Sequence, residues 1–299
     1  MVYPDTTPSP NNNTAGGWPI HGWIGIGLIT VFWTLNWVLT GLRTHWAFFP
    51  LWLGFCLTVD AATLHRTGDS MLTRNRRAYL ALFLYSAPTW WLFEAINWRT
   101  QNWHYLGRES FSNLEYFLWA SLSFSTVMPS VFGAAELVAS LNLVNRLRYG
   151  PMLRATKGIL LTMFGCGWVL LALTLIWPLI FFPAVWFSLF LILNPANVWL
   201  RNRTLWDHTA RGDWRPIISL GIGCLLCGLF WEMWNFFSYP KWVYHIPFLD
   251  FMPVFEMPIL GYGGFIPFAL ELFTLYHLLT GFSKKNTEKQ QFLRFASPI

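Results

Sequence analysis

Leu229-Phe-Trp-Glu-Met-Trp-Asn235 closes a long apolar run with a carboxylate and a carboxamide, and Trp91-Leu-Phe-Glu-Ala-Ile-Asn97 does the same 138 residues earlier. In both stretches Glu and Asn stand three apart, so a helix places them on one face: Glu94 with Asn97, Glu232 with Asn235. A carboxylate at the centre of a membrane span costs about 3 kcal/mol, and a side chain kept there against that cost is a functional-site candidate. The two stretches therefore fix both the setting, a bilayer, and the place to look for chemistry.

Working outward, the 299 residues are 55% hydrophobic and only 11% charged, where soluble domains carry about a quarter charged residues. Several apolar runs reach the roughly 20 residues that cross a hydrocarbon core. The pattern predicts an all-α polytopic integral membrane protein of about eight transmembrane helices, near 19–40, 46–64, 78–98, 114–143, 157–177, 181–200, 216–238 and 255–281. Residues 1–18, rich in Pro, Asn and Thr, read as a disordered cytoplasmic tail, and 283–299 as a basic one. Met1–Gly17 has no Lys or Arg and no short apolar core with a cleavage site, which argues against a signal peptide.

Eight spans sort the basic residues cleanly. Sixteen of the 20 Lys and Arg fall on the side of the termini, around 66–77, 146–157, 201–215 and 284–294; Arg43, Arg99, Arg108 and Lys241 fall on the other. This positive-inside bias predicts that both termini are cytoplasmic, in a bacterial inner (plasma) membrane. It also accounts for the net charge of +6 without a nucleic-acid partner.

The halves repeat. Phe48-Phe49-Pro50 matches Phe181-Phe182-Pro183, Gly25 matches Gly158, and Glu136-Leu137 matches Glu271-Leu272, at offsets of 133 to 135 residues. Residues 19–150 and 151–282 are thus expected to form two parallel four-helix repeats, related by an axis along the membrane normal.

With that topology the polar groups gather near the outer face. Glu94/Asn97 and Glu232/Asn235 end spans three and seven; Asn102-Trp-His-Tyr105 and Lys241-Trp-Val-Tyr-His245 follow; Glu115 and Glu256 begin the next spans, each eleven residues after a His (His104, His245). Structural pairing, acid–base or substrate contact, and a carboxylate–imidazole metal site are the three readings, and no Glu-x-x-His or His-x-x-x-His on one helix favours the last. Trp90, Trp91, Trp98, Trp103, Trp231, Trp234 and Trp242 crowd the two motifs and offer faces for a cation or a flat polyene, quinone or pigment. Glu256-Met-Pro-Ile-Leu-Gly-Tyr-Gly-Gly264, ahead of Pro267, predicts a broken helix beside Glu256 and makes Tyr262 a further contact candidate. Cys224 and Cys227 lie in an apolar helix with no partner pair, and His277 with His21 does not make a bis-His haem site.

At these residues the chain resembles the membrane-integral lycopene cyclases, found as heterodimers or as fused two-repeat chains. Pro88-Thr-Trp-Trp-Leu-Phe-Glu94, Trp103-His-Tyr105 and Asn113-Leu-Glu-Tyr-Phe117 follow the order of that family's acidic helix end, Trp-Tyr loop and acidic helix start. Trp242-Val-Tyr-His245 and Pro253-Val-Phe-Glu256 do so again. The chain departs from the pattern at Leu114 and Phe255, where the family has a first Glu, at Ser112, where it has Pro, and in having four spans per half rather than about three. The resemblance implies isomerase or lyase chemistry in carotenoid biosynthesis, on a lipophilic isoprenoid substrate and without a redox step.

The sequence thus leads to a membrane-embedded acid–base enzyme (cyclase, isomerase or hydratase-like) on a hydrophobic isoprenoid or carotenoid-type molecule. Glu256 and Glu115 are the expected proton donors and Glu232 and Glu94 their partners or bases. Asn235 and Asn97 orient them, while the Trp residues with His104, His245 and Tyr262 surround the substrate. No cofactor is required. Two other classes fit the same features: a proton-coupled transporter, and a pigment- or quinone-binding subunit of an energy-converting membrane complex. The partners expected are membrane lipid or a lipophilic substrate, with a homo-oligomer or complex partner left open.

Overall fold

The computed structural model describes residues 17–147, 149–246, 248, 251–282 and 292–295. The expected tails 1–18 and 283–299 lie almost wholly outside this set.

Nine helices of twelve or more residues make up most of the described chain: α1 (Ile20–Val38), α2 (Thr44–Thr67), α3 (Arg76–Thr100), α4 (Asn113–Phe124), α5 (Val127–Ala139), α6 (Lys157–Ile176), α7 (Val185–Trp199), α8 (Arg215–Phe236) and α9 (Phe265–Gly281). Two short strands, β1 (Trp103–Leu106) and β2 (Lys241–Tyr244), follow α3 and α8. Six helical segments are long and apolar enough to cross a membrane: Thr44–Thr67, Asn113–Ala139, Lys157–Ile176, Pro178–Trp199, Arg215–Phe236 and Ile259–Gly281. That is the architecture of an all-α membrane protein. Helices α1 and α3, of 19 and 25 residues, stand outside the six; α3 opens on Arg76 and Arg77 and carries Glu94, Asn97 and Arg99.

Two expected spans are interrupted. Between α4 and α5 the Ser125 and Thr126 hydroxyls donate to the Leu122 and Ser123 carbonyls at 2.6 and 2.7 Å, taking backbone acceptors that a continuous helix would use itself. Before α9, Ile259–Gly264 is a tight 3-10 turn, as its Pro and Gly content favours.

The packing order recurs along the chain. Helix α1 lies on α2, α2 on α5, and α3 on α4 and α5; then α6 lies on α7, α7 on α9, and α8 on α9. Helix α5 against α8 joins the two sets, and Gly223 makes that approach close: a Cβ there would sit 2.6 Å from the Ala135 backbone nitrogen. The core between them is aromatic, with Trp52, Phe93, Phe132, Trp234, Phe268 and Phe273 fully buried. At one end of the bundle β1 and β2 pair antiparallel, Trp103 opposite Tyr244 and Tyr105 opposite Trp242.

Candidate functional site

Each acidic motif positions itself through its Asn. Asn97 donates from Nδ2 to the Trp103 carbonyl at 2.9 Å, while its Oδ1 accepts from the Asn102 and Trp103 amides at 2.9 and 3.3 Å. Asn235 repeats this on Trp242, donating to its carbonyl at 2.7 Å and accepting from its amide at 3.0 Å. The carboxamides therefore hold the strand backbones, not the neighbouring carboxylates as the sequence suggests. Gln101, in the left-handed region at φ 55°, turns the chain back from α3 into β1.

Pinned this way, the strands aim alternate side chains at the bundle. Glu94 Oε1 accepts from Trp103 Nε1 at 3.0 Å and from the Tyr105 hydroxyl at 2.6 Å, with a third bond from Trp90 Nε1 at 2.9 Å. Glu232 Oε1 accepts from the Tyr244 hydroxyl at 2.7 Å and from Trp242 Nε1 at 3.4 Å. Glu232 is 0% exposed, and its Oε2 has no hydrogen-bond partner. Burial first, and then the adjoining Glu, pushes the Tyr105 and Tyr244 phenols well above their usual range, so both stay protonated donors at neutral pH.

Beside these groups lies a cavity of about 400 Å³, of the size that ligand pockets have. Both ends of the chain contribute: Trp90, Trp103 and Tyr105 from the first motif, Trp231, Trp242 and Tyr244 from the second. Trp186 on α7 and Phe265 and Phe268 around the start of α9 add further rings, and among the described residues Glu232 is the one carboxylate in its wall. Arg108, stacked 4.1 Å from the Tyr116 ring centre, and Lys241 stand in the same wall.

The structure thus sets Glu232, Trp103, Trp231 and Trp242 in the wall of one cavity, with Glu94, Asn97 and Asn235 behind them. Others are placed elsewhere. Glu115 is exposed and caps α4 in a reciprocal box with Ser112, at 2.9 and 3.3 Å. Glu256 is ion-paired with Lys241 and does not line the cavity. Trp91 donates to Ser121 at 2.9 Å, Trp98 is 86% exposed, and Trp234 is packed on Trp52 in the core. His104 and His245 are exposed, and Tyr262 donates to the Val254 carbonyl at 3.1 Å. Among the described residues no three His, Cys, Asp or Glu side chains come together as a metal site. The groups that sequence reasoning passed over are Tyr105 and Tyr244. Their signal was present as Trp-x-Tyr following each Glu-x-x-Asn.

Comparison with protein-family models, with curated proteins and with solved structures gives no match to this chain.

Proposed function

We propose that this chain is an eight-span membrane protein built from two parallel four-helix repeats, with α1 and α3 completing the set and both termini cytoplasmic. It binds an isoprenoid or carotenoid-type molecule in the aromatic cavity and acts on it by acid–base chemistry. The observation that carries this reading is Glu232: a buried carboxyl in the cavity wall, with one oxygen held by two donors and the other unpartnered. The resemblance to the membrane-integral lycopene cyclases supplies the substrate class, and the single carboxyl leaves the particular substrate different from theirs.

In this mechanism Glu232 Oε2 delivers its proton to a terminal carbon of a substrate double bond, and the other alkene carbon becomes the cation. Charge then develops on the carboxylate, where the Tyr244 hydroxyl and Trp242 N–H already point at Oε1 and need no reorganisation. Trp231 and Trp242, both in the cavity wall, supply the aromatic surface for the cation. Loss of a proton from a neighbouring carbon, back to Glu232, ends the reaction as an isomerisation; where a second double bond of the substrate first attacks the cation, closing a ring and moving the charge to its far carbon, the same loss ends a cyclisation. The donor role expected for Glu115 and Glu256 passes to Glu232 in this proposal.

The test is to purify the protein, identify the lipophile retained in its solvent extract, and incubate both in D2O. Deuterium should enter that lipophile with the wild type and fall at least about 100-fold with Glu232→Gln, the usual scale of a general acid's contribution. Unlabelled lipophile with wild type would defeat the chemical reading, and movement of the intact molecule between vesicles would favour the transporter instead.

A further inference from the structure

The seam between α7 and α9, below the cavity, holds more polar groups than the fold explains. Ser188 and Asn194 on α7 and Glu271 and His277 on α9 are each 0 or 1% exposed. Ser188 Oγ, Asn194 Oδ1, Glu271 Oε2 and both His277 ring nitrogens have no hydrogen-bond partner. Left dry, five such atoms would cost as much as the whole stability of an ordinary protein. Elsewhere in the bundle indole nitrogens, which only donate and cannot relay a proton, also lack partners, as do His45 Nδ1, Tyr79 Oη and Asn102 Oδ1, which lie on α2, on α3 and before β1 rather than in this seam.

The two helices run parallel and in register. Asn197 Nδ2 donates to the Thr274 carbonyl at 2.9 Å, and Asn202 sits against Gly281 at the far end. Glu271 Oε1 accepts from the Leu189 and Phe190 amides at 3.2 and 3.4 Å, one turn beneath Trp186 and Phe268 in the cavity wall. Asn194 follows four to five residues beyond those amides on α7, and His277 six residues beyond Glu271 on α9, about 9 Å along the axis. A gap of that length would take about two or three bridging waters, each with the two to four polar partners a buried water needs. Beyond His277 stand Arg203 and His208, Nη2 to Nε2 3.3 Å, at the end of the bundle away from the ribbon.

The two acids at matching positions of the first half are closed. Asp60, the counterpart of Asn194, accepts from the Ser70 hydroxyl and the Leu72 amide at 2.7 and 3.0 Å. Glu136, the counterpart of Glu271, takes Arg74 at 2.9 Å and the Arg294 amide at 2.8 Å. At these paired positions the open groups thus lie in the half whose carboxyl, Glu232, faces the cavity.

We propose that the α7–α9 seam is a hydrated proton route, running from the Arg203–His208 end through His277, Asn194, Glu271 and Ser188 to the cavity floor. It deepens the acid-chemistry reading by letting the Glu232 proton, which each turnover returns, exchange with solvent, and rests on that reading only for the proton's use. Radiolytic hydroxyl-radical labelling of the full chain in lipid discs tests the water. Phe273 and Leu193 should label about tenfold faster than Phe132 beside Glu136, and His277→Leu with Asn194→Leu should abolish the difference. Equal labelling of the two halves in the wild type would overturn the proposal.

Proton passage is read in vesicles loaded with a pH dye, where His277→Leu should slow equilibration about tenfold. Wild type and variant both matching empty vesicles would overturn the route. Ser188→Ala and Asn194→Leu alone serve if the His277 change prevents folding, and a rise in Tm with them would show the seam to be dry. Because neither assay uses substrate, failure here leaves the Glu232 chemistry standing, and loss of that chemistry leaves this result readable.

Discussion

Replacing Asn97 with Ala removes three hydrogen bonds to the backbone of the ribbon, besides a long one from the Thr100 hydroxyl, from a place where water cannot replace them. Asn97, Asn102 and Trp103 are 6, 7 and 6% exposed, and two backbone amides and one carbonyl lose their partner together. At about 1 kcal/mol per bond the change should cost roughly 3 kcal/mol, and at ~2 °C per kcal/mol for a chain of this size, about 6 °C in Tm. Asn97→Asp keeps both acceptor bonds and loses only the donor to the Trp103 carbonyl, so it should sit between wild type and Ala. The same pair of changes at Asn235 should rank the same way, with its bonds to Trp242. Thermal unfolding of the purified protein in one detergent, followed by Trp fluorescence, reads all four variants. An Ala variant within about 1 kcal/mol of wild type, or an Asp variant below Ala, would refute the claim that these carboxamides hold the ribbon.

Arg74→Ala should cost about 3–5 kcal/mol, because it strands the buried Glu136 carboxylate, and adding Glu136→Gln should recover a large part of that; equilibrium unfolding of the two variants decides it. Gly228→Ala places a Cβ 2.4 Å from the Phe265 ring, so Phe265 must move within the cavity wall: a stability loss of about 1–3 kcal/mol is expected, together with weaker retention of the lipophile on purification. For pH, burial first and then Arg203 hold the His208 imidazole below its usual value. The unfolded chain therefore takes up the proton first, and stability present above about pH 6.5 is lost as the pH falls through that value. Asp213 acts lower: burial opposes ionisation, but the Arg215 hydrogen bonds outweigh it and hold the carboxyl below its usual range, so its contribution disappears as the pH falls below about 4. Tm measured from pH 7.5 to 5 should fall in the wild type and less steeply in His208→Leu.

How much of this was legible depended on what each residue's role requires. Helix positions were readable because apolar length is a property of the run itself: Lys157–Ile176 and Arg215–Phe236 end within two residues of the spans expected at 157–177 and 216–238. The break between α4 and α5 was not, since Ser125 and Thr126 become helix-breaking only when their hydroxyls take local carbonyls. The acids were visible as acids, but their surroundings were not. Glu115 and Glu256 sit at equivalent places in sequence, yet one caps a helix and the other pairs with a lysine. The spacing Glu-x-x-Asn pointed at a shared helical face. It could not show that the Asn reaches past the helix end to a strand, because that strand exists only through its pairing with the other half.

Two motifs of one pattern need not do one job, and the geometry separates them. Trp90 gives Glu94 its third donor; 138 residues on, the equivalent position is Gly228, and the space beside it is filled by the Phe265 ring. Glu94 is thus tied to three aromatic donors, which suits a strut for the ribbon. Glu232 has lost the third donor, lies in the cavity wall and leaves one oxygen unpartnered. A carboxyl so placed must exchange with something that is not a protein side chain, whether a substrate or a water. The same bias runs deeper, where Glu136 is closed by Arg74 and Glu271 is left open. Closed acids in one half and open acids in the other are what a bundle needs if its first half braces the cavity and its second half works in it.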